Sequence, residues 1–315
     1  MTIVNPTHPL MPIQIDDLLR RDIAVHTWID ANGVRWPLRG GATAFPAQWS
    51  TGAHLEKIKG ISAPLTHVDQ QGAHQDGTDW LDSHYDKMEI DFTISLWAPT
   101  ITERRRLARA WNNGWQPRKT GRWVVFTHDA GEWWVDLRSL GEYRGDLPPD
   151  HQTKWTLEWS ARSDDAFWQS FPSVDKLVYR SGALRSLNQP ADTLRPNMLA
   201  LRNRGNVNGW PDHLLQGPGT FTLGDNGANG RTVSIQVKAG ELVKLTTLPR
   251  KRTAIELNSN ANVYPRLKNR FATPVPPPVR TNLAGIAHIP VTVTGATTNV
   301  TSITSRLTPY RDWPE

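Results

Sequence analysis

The stretch DKMEIDFTISLWAPTITERRRLARAWNNGW, residues 86–115, changes its hydrophobic period halfway along, and that change sets the architecture expected around it. In the first part Met88, Ile90, Phe92, Ile94 and Leu96 alternate with polar residues, so they share one face of a strand. Pro99 then discourages helix before it, and Thr100 followed by Glu103 has the capping-box pattern, so a helix is expected from Ile101. Gly114, after Asn112 and Asn113, is expected to supply a left-handed stop, which makes helix 101–113 about three to four turns long. At ~100° per residue, Ile101, Leu107, Ala108, Trp111 and Trp115 form one apolar stripe, and Arg105, Arg106 and Arg109 fall opposite. Arg104 projects into the stripe, which suits it only if its stem lies along the tryptophans and its guanidinium reaches the rim. A helix that only grips phosphate needs no such stripe. The preferred reading is a helix packed on a sheet with a solvated basic face. Nucleic-acid binding and a protein interface are the competing uses of the arginines.

Strand signals surround this segment. DIAVHTWIDANGVRWPLRG, 22–40, alternates and turns at Asn32-Gly33, a strong hairpin signal, with Trp28 and Trp36 on its two arms. GRWVVFTHDAGEWWVDLRSL, 121–140, reads as a second hairpin around Asp129-Ala130-Gly131. KWTLEWSARSDDAFW, 154–168, follows with Trp155, Leu157 and Trp159 on one face. Residues 1–172 therefore read as an antiparallel β domain carrying one helix. The weakly periodic segment 173–196 is placed as a linker. Beyond it, in 197–315, MLALRNRG, GTFTLGD, RTVSIQVKAG, ELVKLTT, RTAIELN, HIPVTVTG and NVTSITSRL are short strands between turn residues, which argues for a β-sandwich. ATPVPPPVRTN, 272–282, must be extended chain. The fold class is mainly β.

At 315 residues the chain is long enough for two cores. A net charge of +6 is modest at this length, and the basic groups Arg118, Lys119, Arg122 and Arg250, Lys251, Arg252 read as solvated loops rather than a groove. With no cysteine there is no disulfide framework, thiolate metal site or thiol nucleophile. The N-terminus lacks a leader pattern and no run approaches the ~18 apolar residues of a membrane span, so a soluble protein made in the cytoplasm is expected. Fifteen tryptophans must be either core anchors or binding groups, and on alternating strands the default is core.

Chemistry is sparse. GAHQDGTDWLDSHYD, 72–86, gathers His74, Asp76, Asp79, Asp82, His84 and Asp86, but a calcium loop would need a glutamate at its twelfth position, and a polar loop is the preferred reading. GDNGANG, 224–230, matches no phosphate-loop pattern and reads as a turn. No GxSxG occurs, and a glycosidase-type carboxylate pair stays open because only the fold would bring one together. No catalytic residue, cofactor or metal site is assigned, and the chain is not expected to be an enzyme.

The order of the pieces carries a resemblance. An N-terminal hairpin, the strand FTISLW, one helix, an aromatic hairpin, a strand ending in DDAFW (164–168), then a second domain opening with NRGNVNGWP (203–211) resembles the distal tail (Dit) proteins of bacteriophages with long flexible tails, the siphoviruses, over nearly the whole chain. The closing TGATTNVTSITSRLTPYRDW, 294–313, is similar to minor tail proteins of actinobacteriophages. The resemblance implies a virion protein of the tail tip or baseplate: a hexameric ring made by a tail-tube-like first domain, with a galectin-like sandwich outside it. Its implied partners are further copies of itself, the tail-tube protein, the tail hub and the tape measure, with no specific nucleic acid and no membrane span. On this reading Arg105, Arg106 and Arg109 face a neighbouring subunit. The alternative is a carbohydrate- or host-receptor-binding sandwich in which Trp210 stacks on a sugar, and an envelope-degrading enzyme is the third possibility.

Overall fold

The computed structural model describes residues 24–40, 51–71, 76–116, 118–144, 152–186, 195–226, 230–279 and 284–314. It is mainly β, and it divides into two compact units, Met1–Gln169 with Asp312–Glu315, and Ser170–Arg311.

In the first unit the strands are β1 (Val25–Ile29), β2 (Arg35–Arg39), β3 (Gly52–Lys59), β4 (Leu65–Gln70), β5 (Asp79–Tyr85), β6 (Met88–Trp97), β7 (Gly121–Thr127), β8 (Gly131–Arg144), β9 (Lys154–Ser163) and β10 (Trp168–Gln169). One α-helix, α1 (Ile101–Gly114), lies between β6 and β7. Among the described residues the main sheet runs β2-β1-β7-β8-β9-β6-β3, antiparallel where the pairing is given, and its end strands β2 and β3 lie in contact. The sheet thus curls around its core. The expected face of β6 points inward, with Met88, Ile90, Phe92, Ile94 and Leu96 all buried.

Helix α1 covers this core with its apolar stripe. Trp115 stacks on Trp28 at 4.2 Å and lies 5.7 Å from Phe92, while Trp111 meets Trp36 edge-on at 5.3 Å. Trp123 joins through Phe92 at 5.1 Å. Such offset and edge-on pairs satisfy the ring quadrupoles as well as removing area from water. The helix begins as expected, the Thr100 hydroxyl accepting from the Glu103 amide at 3.2 Å.

Its end differs from expectation. Gly114 is the last helical residue, not a left-handed stop, and the cap is Trp115 at φ −98°. The glycine is needed for space: a Cβ there would stand 2.6 Å from an Asp30 carboxylate oxygen, and Ala31 donates its amide to the Gly114 carbonyl at 3.1 Å. Asp30 in turn accepts from the Asn32 and Val34 amides and from the Trp36 indole, so one buried carboxylate fastens the first hairpin's turn beneath the helix end.

The second unit contains β11 (Ser173–Arg180), β12 (Ala183–Ser186), β13 (Met198–Arg202), β14 (Asp212–Gln216), β15 (Gly219–Gly224), β16 (Thr232–Val237), β17 (Leu242–Thr246), β18 (Thr253–Glu256), β19 (Ala261–Asn262), β20 (Ile286–Thr294), β21 (Ser302–Leu307) and β22 (Tyr310–Arg311). A sheet in the order β12-β11-β21-β14-β17-β18-β19 and another in the order β13-β20-β15-β16 share one core. That core is aliphatic, with Phe221 and Phe271 its buried aromatic rings.

Two stretches depart from the sequence reading. Residues 173–186, expected to begin a linker, form the hairpin β11–β12, and 187–194 lie outside the described residues. The apolar alternation there is broken because the inward position before Leu177 is Asp175, buried and accepting from the Ser186 hydroxyl and the Ala200 amide, each at 2.9 Å. The apolar period of strand β14 is broken for the same reason: its inward residue beside Leu215 is His213. The described part of the proline run, 272–279, forms no helix, as expected, and is anchored where Val275 and Gly209 exchange backbone hydrogen bonds at 2.8 and 2.9 Å, while 280–282 lie outside the described residues.

Candidate functional site

Three features of the described surface could meet another molecule. The first is an arm in the first unit. Strands β4 and β5 pair only with each other among the described residues, and nearly every residue on them is exposed. Pairing puts Leu65 opposite Tyr85 and His67 opposite Ser83, so these four share a face. Trp80 joins that face, its indole donating to the Ser83 hydroxyl at 2.8 Å, and the same hydroxyl is 2.7 Å from His67 Nδ1. Trp80 is 64% exposed, and Leu81, Leu65, Val68 and Tyr85 are exposed as well. The root is fixed by the Tyr85 ring, edge-on to Phe167 at 4.9 Å.

This arm absorbs the cluster weighed as a metal or catalytic loop. His74 lies outside the described residues, while Asp79, Asp82 and His84 are strand residues of β5. Asp86 accepts from the Thr66 hydroxyl at 2.7 Å and lies 3.6 Å from His84, which is root structure. Among the described residues no group of three or more metal-ligating side chains converges. Sequence reasoning misses the arm because Trp80 and Leu81 fall within 72–86, whose many His and Asp residues suggest a polar loop. Leu65-x-x-Val68 and Trp80-Leu81 on either side of Gly77 were the available signal.

The second feature is the outer face of α1. Arg105, Arg106 and Arg109 are exposed there together, as the helical spacing requires. Arg104 is 3% exposed, its guanidinium carbon 6.0 Å from the centre of the Trp155 ring, so its charge sits over a π face instead of reaching the rim.

The third feature surrounds Trp210 in the second unit. Trp210 is half-buried and borders a cleft of about 490 Å³ that is also lined by Lys244, Lys251, Arg306 and Tyr310. The structure gives the flanking motifs structural duties. Asn203 is buried, donating to the carbonyls of Val207 and Val275 and accepting from the Gly205 amide, so it ties the chain before Trp210 to the proline-rich segment. In DDAFW, Asp164 pairs with Arg138 at 2.7 Å and buried Trp168 donates to the Ile61 carbonyl at 2.7 Å. In GDNGANG, buried Asp225 accepts from the Ala272 and Thr273 amides and pairs with Arg231 at 3.0 Å, while 227–229 lie outside the described residues.

Among the described residues no helix is long and apolar enough to cross a membrane. No family model and no curated protein sequence matches the chain. Solved structures do. The Dit protein of phage SPP1, described as a paradigm of the hub adsorption apparatus in phages infecting Gram-positive bacteria, matches with a TM-score of 0.57 at 11% identity, over 91% of this chain and 98% of that one. A chain of the phage P2 baseplate, in its activated conformation with calcium, matches with a TM-score of 0.50 at 7% identity, over 92% of this chain and 99% of that one. At these identities the likeness is one of fold, and the fold it shows is the β-rich one of Dit.

Proposed function

We propose that this chain is a structural protein of a bacteriophage tail tip, whose first unit closes into a hexameric ring joining the tail tube to the adsorption apparatus. The observation that carries this reading is the arm. An isolated pair of strands is marginal in water, yet β4 and β5 carry Trp80, Leu81 and Leu65 into solvent. Their burial is completed when a second copy presents a different face, and repetition of such an unlike-face contact generates a ring. The Dit-like fold supports the same reading. Arg105, Arg106 and Arg109 form a further contact to the neighbouring subunit or to the tube. The second unit is the galectin-like outer domain, and the tail hub and tape measure are the remaining partners. The site of action is the virion.

Light scattering and particle images of the purified chain test this. The wild type should give a closed ring of about six subunits, alone or on added tail-tube protein, and the double substitution Trp80→Ser, Leu81→Ser should leave a folded monomer. Rings formed by the double variant as readily as by the wild type would sink the role of the arm. Charge reversal of Arg105, Arg106 and Arg109 to glutamate should weaken assembly most at low salt, since such contacts are screened within about 10 Å at 0.1 M. Undiminished assembly at low salt would remove the arginines from the interface.

A further inference from the structure

The cleft beside Trp210 is built by the outward faces of four neighbouring strands. Asp212 on β14 stands opposite Arg306 on β21 and opposite Thr246 on β17, and Thr246 stands opposite Thr253 on β18. These four therefore form one row across the solvent face of the sheet. Lys244, two residues from Thr246 on the same face, brings its ammonium to 3.7 Å from Asp212. Trp210 and Thr308 continue their strands by one further alternate step, and Lys251 and Tyr310 complete the wall. Every lining residue belongs to the second unit.

The composition of this wall is specific. It holds three cations against one carboxylate, and among the described residues neither Lys251 nor Arg306 has a carboxylate within ion-pair distance. Structural cations on a sheet face are commonly matched across strands; here the match is incomplete where the surface is concave. Two aromatic rings, Trp210 and Tyr310, supply the flat apolar contacts that suit the C–H faces of a pyranose. Threonine hydroxyls and the Asp212 carboxylate supply the hydrogen-bonding groups that sugar hydroxyls require. A space of about 490 Å³ is within the usual range for small-ligand sites, which is roughly 300–1,000 Å³.

We infer that this cleft binds an anionic saccharide, with a sugar ring against Trp210 and its carboxylate or phosphate between Arg306 and Lys251. The guanidinium offers paired donors to the acid group, and Lys251 acts as a point charge. Asp212, opposite Arg306 on the neighbouring strand and near Lys244, accepts from the sugar hydroxyls. The inference stands on the second unit alone and is independent of ring assembly.

The test is calorimetric titration of the full chain with three probes of similar length: a hyaluronan tetrasaccharide, a phosphorylated mannopentaose and neutral mannopentaose, with inorganic phosphate as a fourth. Binding of a charged sugar about tenfold or more tighter than the neutral one is expected, and the comparison of the first two probes tells carboxylate from phosphate. Arg306→Gln should weaken the charged sugar by about ten- to a hundredfold and leave the neutral one unchanged. Trp210→Ala should weaken both sugars, with Trp210→Phe restoring part of the affinity. Four results would overturn the inference: no binding of any sugar, equal binding of charged and neutral sugars, inorganic phosphate binding as tightly as the sugars, or Arg306→Gln and Trp210→Phe both behaving as wild type. Unfolding midpoints of the variants equal to wild type establish that lost binding is local. If Trp210→Ala fails to fold, Arg306→Gln and Trp210→Phe still decide.

Discussion

Strands β5 and β6 are separated by two residues of chain, both carry aromatic and aliphatic side chains, and they meet opposite fates. β6 is paired on both flanks, by β3 and β9, and its five inward apolar residues are buried under α1 and the curled sheet. β5 is paired on one flank by β4, and Trp80 remains 64% exposed where Trp111 of the helix is 1% exposed. Alternation says that a strand exists. It does not say that anything covers its face. Apolar area contributes about 25 cal/mol per Å² only once water is removed from it, so the same residue type stabilises the body of the first unit and contributes little on the exposed arm.

That contrast can be broken at its strong end. Trp111→Ala should destabilise the chain by about 3–5 kcal/mol in denaturant unfolding, because Trp36 and Trp115 lose the ring they pack on. A cost under about 1 kcal/mol would mean that the helix does not hold the core.

Acid probes the buried interiors next. Burial lowers His26 from 6.5 to about 4, with the nearby Arg39 charge adding to the effect, and burial lowers His213 from 6.5 to about 3. The unfolded chain takes up protons near pH 6.5 that the folded chain refuses. Stability is therefore complete above that pH and falls as pH drops toward 4 and 3, by at most about 1.4 kcal/mol per pH unit for each histidine. Unfolding free energies at pH 7 and pH 5 check this, and His213→Gln should flatten the slope. An unchanged slope in that variant would show that His213 takes no part.

Gly121→Ala should cost about 1–3 kcal/mol, since its Cβ would stand 2.4 Å from the Trp28 ring, measured by the shift in unfolding midpoint. A neutral result would mean that the aromatic core gives way easily. At the weak end, Trp80→Ala should change the stability of the unassembled chain by no more than about 0.5 kcal/mol, in contrast to Trp111→Ala. A larger cost would show that the arm folds back on its own unit and would remove the contrast altogether.

Much of this was legible in advance, for local reasons. Asn32-Gly33, Thr100 with Glu103, and the alternation of 88–96 specify a turn, a cap and a face through neighbours in the chain, and all three stand where expected. The misses have a common cause. Asp175 and His213 occupy inward positions as polar residues whose partners, the Ala200 amide and the Ser305 hydroxyl, are remote in sequence, so their strands lacked a clean apolar period. The position of Gly114 after two asparagines suggests backbone freedom, whereas its reason is the Asp30 carboxylate packed against it. Trp210 stood out as a candidate contact, but Arg306 and Lys251 did not, because they come from other strands and turns.

By itself the sequence determined the mainly β class, the position of the helix after β6 and the basic face that helix presents, because periodicity, caps and turn residues act within a few positions. Only the tertiary structure decided which faces are covered. Helical spacing places Trp111 on an apolar stripe, but nothing local makes Trp80 and Leu81 an exposed strand face or sets Arg306 beside Asp212 and Trp210 in one cleft. Burial and convergence depend on strand order, and strand order is chosen by the whole chain at once.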